Sequence, residues 1–115
     1  MTELESWMDA YIRAWATNRP ADVGALFTED AAYYTEPHAQ PWRGRDAIVK
    51  EWLARKDESG PSAFEYEPVA VTADVAVVKG VTTYPGTTFS NLWLIRLDGE
   101  GRCTEFVEYW MEHRA

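Results

Sequence analysis

Cysteine is nearly absent, with one in 115 residues. A lone thiol closes no internal disulfide, and that suits a reducing, cytoplasmic setting. Histidine is almost as scarce, at two. A metal site of three ligands would have to join Glu36 and His38 to the distant His113, or to Glu108 or Glu112, so no metal is expected. Positive charge is short as well. Eleven Lys and Arg stand against nineteen Asp and Glu, a formal net charge of −8. Phosphate binding needs clustered basic side chains, so nucleic acid is not expected as a partner. The chain has no run of about 18 apolar residues, so no membrane-spanning helix is expected. Its start, MTELESWMDAY, is acidic and amphipathic, unlike a secretory signal. Gly-rich phosphate loops, Ser-His-Asp order, repeats and linkers are all missing, and no cofactor is implied.

What is present in excess is aromatic. Six Trp, six Tyr and four Phe make 14% of the chain. With 46% hydrophobic and 26% charged residues, the composition is that of a folded chain, expected as a single domain over 1–115. Each large ring buries about 150–250 Å². Composition alone leaves two readings open: a ring-rich core, or a cavity walled by large rigid side chains with polar tips.

Local signals give the element order. Thr2 to Glu5 form a capping box that opens a helix. Leu4, Met8, Tyr11, Ile12 and Trp15 then recur at helical spacing, with Trp7 at the edge of the stripe. Asn18-Arg19-Pro20 stops this helix, and Pro20 suits the first turn of a second, with Val23, Leu26 and Phe27 inward. Residues 31–36 read as a short strand ended by Pro37. HAQPWRG (38–44) reads as an irregular loop, in which Trp42 has little core to join and suits a lid. A third helix covers 45–56, stopped by Ser59-Gly60-Pro61. Four strands follow: one around 64–67, then 75–84, 88–97 and 102–112. Their turns lie at Thr72-Ala73-Asp74, at Pro85-Gly86 and at 98–101. The order α-α-β-α-β-β-β-β indicates an α+β fold, a curved antiparallel sheet with the helices on one face.

The last turn sets a register. With Leu97 opposite Arg102, Trp93 faces Phe106, Asn91 faces Glu108 and Phe89 faces Trp110, all on one face. The other face carries Leu92, Leu94 and Arg96 beside Cys103, Val107, Tyr109 and Met111. Since helices cover only one face, the second is expected to pair two copies into a homodimer.

Three stretches, YIRAWATNRPADVGALFTEDAAYYTEP (11–37), WRGRDAIVKEWL (42–53) and LIRLDGEGRCTEFVEYW (94–110), carry a resemblance. With their F-x-E-D-A, G-R-D-A-I and E-Y-W signatures, they resemble the nuclear transport factor 2-like, or cystatin-like cone, superfamily, and within it the SnoaL-like group. The resemblance implies a cone-shaped sheet wrapped around three helices, with a deep apolar pocket closed by the first helix. Its members include isomerases, cyclases, an epoxide hydrolase, a dehydratase and non-catalytic association domains. Matching ketosteroid isomerase puts the catalytic base at Glu36, just before Pro37, and an oxyanion-binding tyrosine at Tyr11. The second oxyanion donor of that enzyme, a protonated Asp, is replaced here by Trp93. An indole N–H donates one hydrogen bond but is not tuned like a carboxylic acid. Matching limonene epoxide hydrolase puts one acid at Glu108, but the other charged positions fall near Lys79 and Val81.

The expected site therefore has Glu36, Tyr11, His38 and Glu108 as acid–base and donor groups. Its walls are Trp15, Tyr34, Trp42, Phe89, Asn91, Trp93, Phe106 and Trp110. Each has a bland reading beside it: Glu36 as a solvated carboxylate, His38 as a loop imidazole, Tyr11 and the rings as core, Glu108 with Asn91 as a structural hydrogen bond. The expected ligand is an apolar small molecule. Two functions fit: a cofactor-independent isomerase, cyclase or dehydratase, or a binding or association domain without chemistry.

Overall fold

A computed structural model describes residues 2–55 and 63–113. Its elements are α1 (Glu3–Thr17), α2 (Pro20–Gly24), β1 (Phe27–Tyr34), β2 (Trp42–Arg43), α3 (Arg45–Ala54), β3 (Ala63–Val71), β4 (Ala76–Tyr84), β5 (Thr87–Leu97) and β6 (Cys103–Glu112). The α+β order is the expected one, with the short β2 added. No helix of the described residues is long and apolar enough to cross a membrane.

Helix α1 begins where the capping box places it. The Glu5 N–H donates to Thr2 Oγ1 and the Thr2 N–H donates to Glu5 Oε1, both at 3.1 Å. It ends on Asn18, which turns left-handed at φ 52°. Its buried face is Leu4, Trp7, Met8, Tyr11 and Ala14. Trp7 is thus central rather than at the edge, and its indole N–H donates to the Leu26 carbonyl at 3.0 Å. Ile12 is only half-buried. A helix held inside a curved sheet buries a wider arc than one stripe.

Strand β1 differs from expectation by starting at Phe27 and ending at Tyr34. The cause lies at the far end of the chain. Phe27 pairs in parallel with Cys103, and the Cys103 N–H donates to the Leu26 carbonyl at 2.7 Å. In the 38–44 segment, Trp42 and Arg43 pair with Tyr33 and Ala32 instead of forming loop. Lys56 and the expected stop at Ser59-Gly60-Pro61 lie outside the described residues.

The six strands form one open sheet, ordered β2-β1-β6-β5-β4-β3. All joins are antiparallel except β1 with β6. At the β5–β6 turn, Asp98 Oδ1 accepts from the N–H groups of Glu100 and Arg102, both at 2.9 Å. Leu97 pairs with Cys103 and Arg96 with Glu105, which leaves Thr104 as a bulge. Trp93 then faces Glu108, Asn91 faces Trp110 and Phe89 faces Glu112. The register is two residues from the expected one. A shift of two preserves the faces, because side chains alternate with period two. Cys103 alone changes sides. The bulge turns it into the core, and burial pushes its thiol up to about 12.

The core fills one end of the cone. Phe27, Phe106, Met8, Ile48 and Ile95 are fully buried there. Gly80 on β4 shows how closely the sheet is packed toward the open end. A Cβ at Gly80 would lie 3.0 Å from the Glu65 carbonyl oxygen and 3.0 Å from the Phe64 ring. That ring is stacked on Trp93 at 5.2 Å, so a Cβ would press on both the ring and the neighbouring backbone. Gly80→Ala is expected to lower stability by about 1–3 kcal/mol, as overpacking does. Urea unfolding checks this, and an unchanged midpoint would contradict it.

Candidate functional site

The open end of the cone holds a cavity of about 370 Å³. Tyr11, Trp15 and Asn18 reach it from the last turns of α1, and Trp52 and Arg55 from the end of α3. Tyr33 and Trp42 come from β1 and β2, Thr82 and Tyr84 from β4. Phe89, Asn91 and Trp93 come from β5, and Glu108 and Trp110 from β6. Alternation along each strand explains the set, since β5 contributes every second residue from 89 to 93.

Glu108 is the carboxylate of this wall. Its Oε2 accepts from Asn91 Nδ2 at 2.7 Å and from the Trp93 indole N–H at 3.1 Å. Thr82 Oγ1 donates to Asn91 Oδ1 at 2.7 Å, which fixes the amide with its NH₂ toward Glu108. Both donors meet the same oxygen. Among the described residues none donates to Oε1, which is left to the cavity. Burial raises the Glu108 pKa above the ordinary carboxylate range, and the Trp93 and Asn91 donors offset part of that rise.

Beside it, the hydroxyls of Tyr11 and Tyr33 are 3.0 Å apart. Burial comes first in pushing both phenols well above their usual range, and the nearby Glu108 charge adds to it. Both stay neutral donors. One hydroxyl proton serves the pair and the other remains for a third acceptor. The rings are held by stacking: Trp42 on Tyr33 at 4.8 Å, Tyr33 on Phe106 at 4.6 Å, Tyr11 on Phe106 at 5.7 Å. The Trp52 indole N–H donates to Asn18 Oδ1 at 2.9 Å and ties α3 to the end of α1.

Of the residues expected from sequence, Tyr11, Trp15, Trp42, Phe89, Asn91, Trp93, Glu108 and Trp110 line the cavity. Four do not. Phe106 is fully buried behind Tyr11 and Tyr33, as core. Tyr34 pairs with Val107 and takes the outer side of β1, while Tyr33 points inward. Glu36 and His38 follow the end of β1. Their side chains pair at 3.2 Å and are 37% and 81% exposed. They border a second groove with Leu92, Tyr109 and Met111, which shares Asn91 and Trp110 with the cavity. Counting two residues on from Tyr34 already gives Glu36 this side. The residues that sequence reasoning left out are Asn18, Tyr33, Trp52, Arg55, Thr82 and Tyr84. Strand alternation alone would have chosen Tyr33 over Tyr34 had the strand ends been known. Among the described residues no three of His, Cys, Asp or Glu gather as metal ligands would.

The raised carboxyl of Glu108 has a consequence for stability. A folded value above the unfolded one means that the folded chain binds the proton more tightly. The contribution is complete below the ordinary carboxylate range and is lost as pH rises through the raised value. Glu108→Gln, which does not ionise, is therefore expected to gain on the wild type as pH rises from about 4 to about 8. Urea unfolding across that range reads the difference. NMR titration is expected to show Asn91→Leu raising the Glu108 value further, since a donor to the carboxylate is lost.

The sequence pattern of the SnoaL-like domain matches residues 8–109. No curated protein matches the chain significantly. An NTF-2 like protein of unknown function from Burkholderia xenovorans superposes with a TM-score of 0.78 at 13% identity, over 98% of this chain and 86% of that one. A steroid delta-isomerase from Pseudomonas aeruginosa gives 0.71 at 14% identity, over 96% and 81% of the two chains. A hypothetical protein from Catenulispora acidiphila with a ketosteroid isomerase-like fold, solved in complex with trimethylamine, gives 0.66 at 22% identity, over 90% and 83%. At such identities the likeness is one of fold, and the fold is the cone that the sheet order and the three helices build. The family pattern runs from α1 into β6, through every element that lines the cavity, and the chain belongs to the SnoaL-like domain family.

Proposed function

We propose that this chain is a cofactor-independent acid–base enzyme acting on a small, largely apolar molecule, with Glu108 in the role first expected of Glu36. The observation that carries the reading is the open Oε1 of a desolvated carboxylate inside a ring-walled cavity. Glu36 has no such setting, since it pairs with exposed His38 outside the cavity. A carboxylate with a raised value accepts and returns protons near neutral pH better than an ordinary one. Fixing Oε2 through Trp93 and Asn91 aims the free oxygen without spending it. The spare hydroxyl proton of the Tyr11–Tyr33 pair would steady negative charge on a carbonyl oxygen. Isomerisation, cyclisation and dehydration all use this combination. That the same fold occurs in a steroid delta-isomerase, and in a protein holding trimethylamine, supports a small-molecule site here.

The test is proton exchange. A panel of small ketones, including a cyclic β,γ-unsaturated one, is incubated in D₂O with the protein and followed by NMR. The wild type is expected to exchange α-protons, with Glu108→Gln slower by about 10²–10⁴-fold. Tyr33→Phe is expected to slow exchange by about 10²-fold, as loss of an oxyanion donor does. Exchange that is no faster than in Glu108→Gln would overturn the enzyme reading and leave a binding domain.

We also infer a homodimer through the convex sheet face. Val81, Leu92, Tyr109 and Met111 are exposed there, flanked by the ion pairs Lys79–Glu67 at 2.8 Å and Arg96–Glu105 at 3.5 Å. An apolar patch rimmed by charges suits a self-pairing interface. Light scattering at tens of micromolar, on the order of common dimer affinities, is expected to give a dimer for the wild type and a monomer for Leu92→Asp. A monomeric wild type would overturn the inference.

A further inference from the structure

We propose that the cavity selects a positively charged nitrogen, so that its ligand is a small alkylammonium compound, a tertiary or quaternary amine in cationic form. The inference rests on the reading of Glu108 as the functional group of the cavity. It adds the class of molecule that Glu108 faces.

Consider first the hydrogen-bond donors of the cavity. Deep in the cavity they are already spent inside the protein. Asn91 and Trp93 both donate to Glu108 Oε2, Thr82 to Asn91 Oδ1, and Trp52 to Asn18 Oδ1. Beside them the wall offers an acceptor, Glu108 Oε1. An anionic ligand would meet a like charge at Glu108. A cation would find a carboxylate that two neutral donors leave under-compensated. Burial of that carboxylate without a positive partner is costly, and the raised Glu108 value reflects it. A cationic ligand is the missing partner.

The walls favour the same ligand. The faces of Trp, Tyr and Phe carry the negative end of the ring quadrupole and attract cations. Trp15, Tyr84, Phe89 and Trp110 line the cavity along with Trp42 and Trp52. The chain itself shows such a contact. The Arg55 guanidinium lies 5.4 Å from the centre of the Trp42 ring. Arg55 is exposed and also pairs with Glu51 at 3.3 Å, so its charge is compensated and screened by solvent. Alkylammonium groups are weakly hydrated, unlike a primary ammonium, and enter such a box at low desolvation cost.

The test compares choline with its neutral isostere, 3,3-dimethylbutan-1-ol, by tryptophan fluorescence. The two have nearly the same shape and differ in charge. Choline is expected to bind at least about ten-fold more tightly, as a desolvated cation–π site with a carboxylate would require. Glu108→Gln is expected to remove most of that preference. Acidifying the wild type through the Glu108 titration is expected to do the same, without relying on a variant. Equal affinities, tighter binding of the alcohol, or no binding of choline would each overturn the proposal. If Glu108-dependent exchange on neutral ketones persists in that case, the acid–base reading stands and the cation fails alone. If that exchange is also missing, both fail.

Discussion

A carboxylate taken out of water has to find donors, and the open end of this cone is built around that requirement. Glu108 meets it with the Trp93 indole and the Asn91 amide, and Asn91 is held in turn by Thr82. Three neighbouring strands, β4, β5 and β6, are thereby tied together by side chains on the concave face. A hydrogen-bonded chain of this kind is rigid only while every member is satisfied. Here every buried side-chain polar atom among the described residues has a partner. The free oxygen of Glu108 is compatible with this because it opens to the cavity rather than into packed core. The raised carboxyl value reflects its burial, offset in part by the Trp93 and Asn91 donors.

The aromatic excess divides between two tasks. Trp7, Phe27 and Phe106 belong to the filled end, where Phe106 stacks beneath both Tyr11 and Tyr33. Trp15, Trp42, Phe89 and Trp110 belong to the open end, where they line the cavity. Tyr11 and Tyr33 stand at the boundary, with rings in the core and hydroxyls toward the cavity. Core and cavity wall, the two readings that composition left open, are both realised.

The Thr104 bulge turns Cys103 inward, where it pairs with Phe27 as β6 runs parallel to β1. Without that join β1 and β2 would have no place in the sheet, and Tyr33 and Trp42 would not reach the cavity. The Leu26 carbonyl, which accepts both the Cys103 N–H and the Trp7 indole N–H, fastens the same corner to α1.

The sequence by itself determined the element order, the helix start at the capping box, the turns at Pro85-Gly86 and 98–101, and the concave face of the last hairpin. These are local or period-two properties, and a register error of two leaves them intact. It also determined most of the wall, because Trp93, Asn91, Glu108 and Trp110 follow from alternation alone. Tertiary structure decided where β1 begins and ends, and with it that Tyr33 rather than Tyr34 faces inward and that Glu36 lies outside the cavity. It decided that Trp42 belongs to a strand, that Cys103 is core, and that Trp52 and Thr82 complete the site. The reason is physical. A strand's limits are set by its hydrogen-bonding neighbour, and the neighbour of β1 lies 76 residues away at the Phe27–Cys103 pair, where no local pattern reports it.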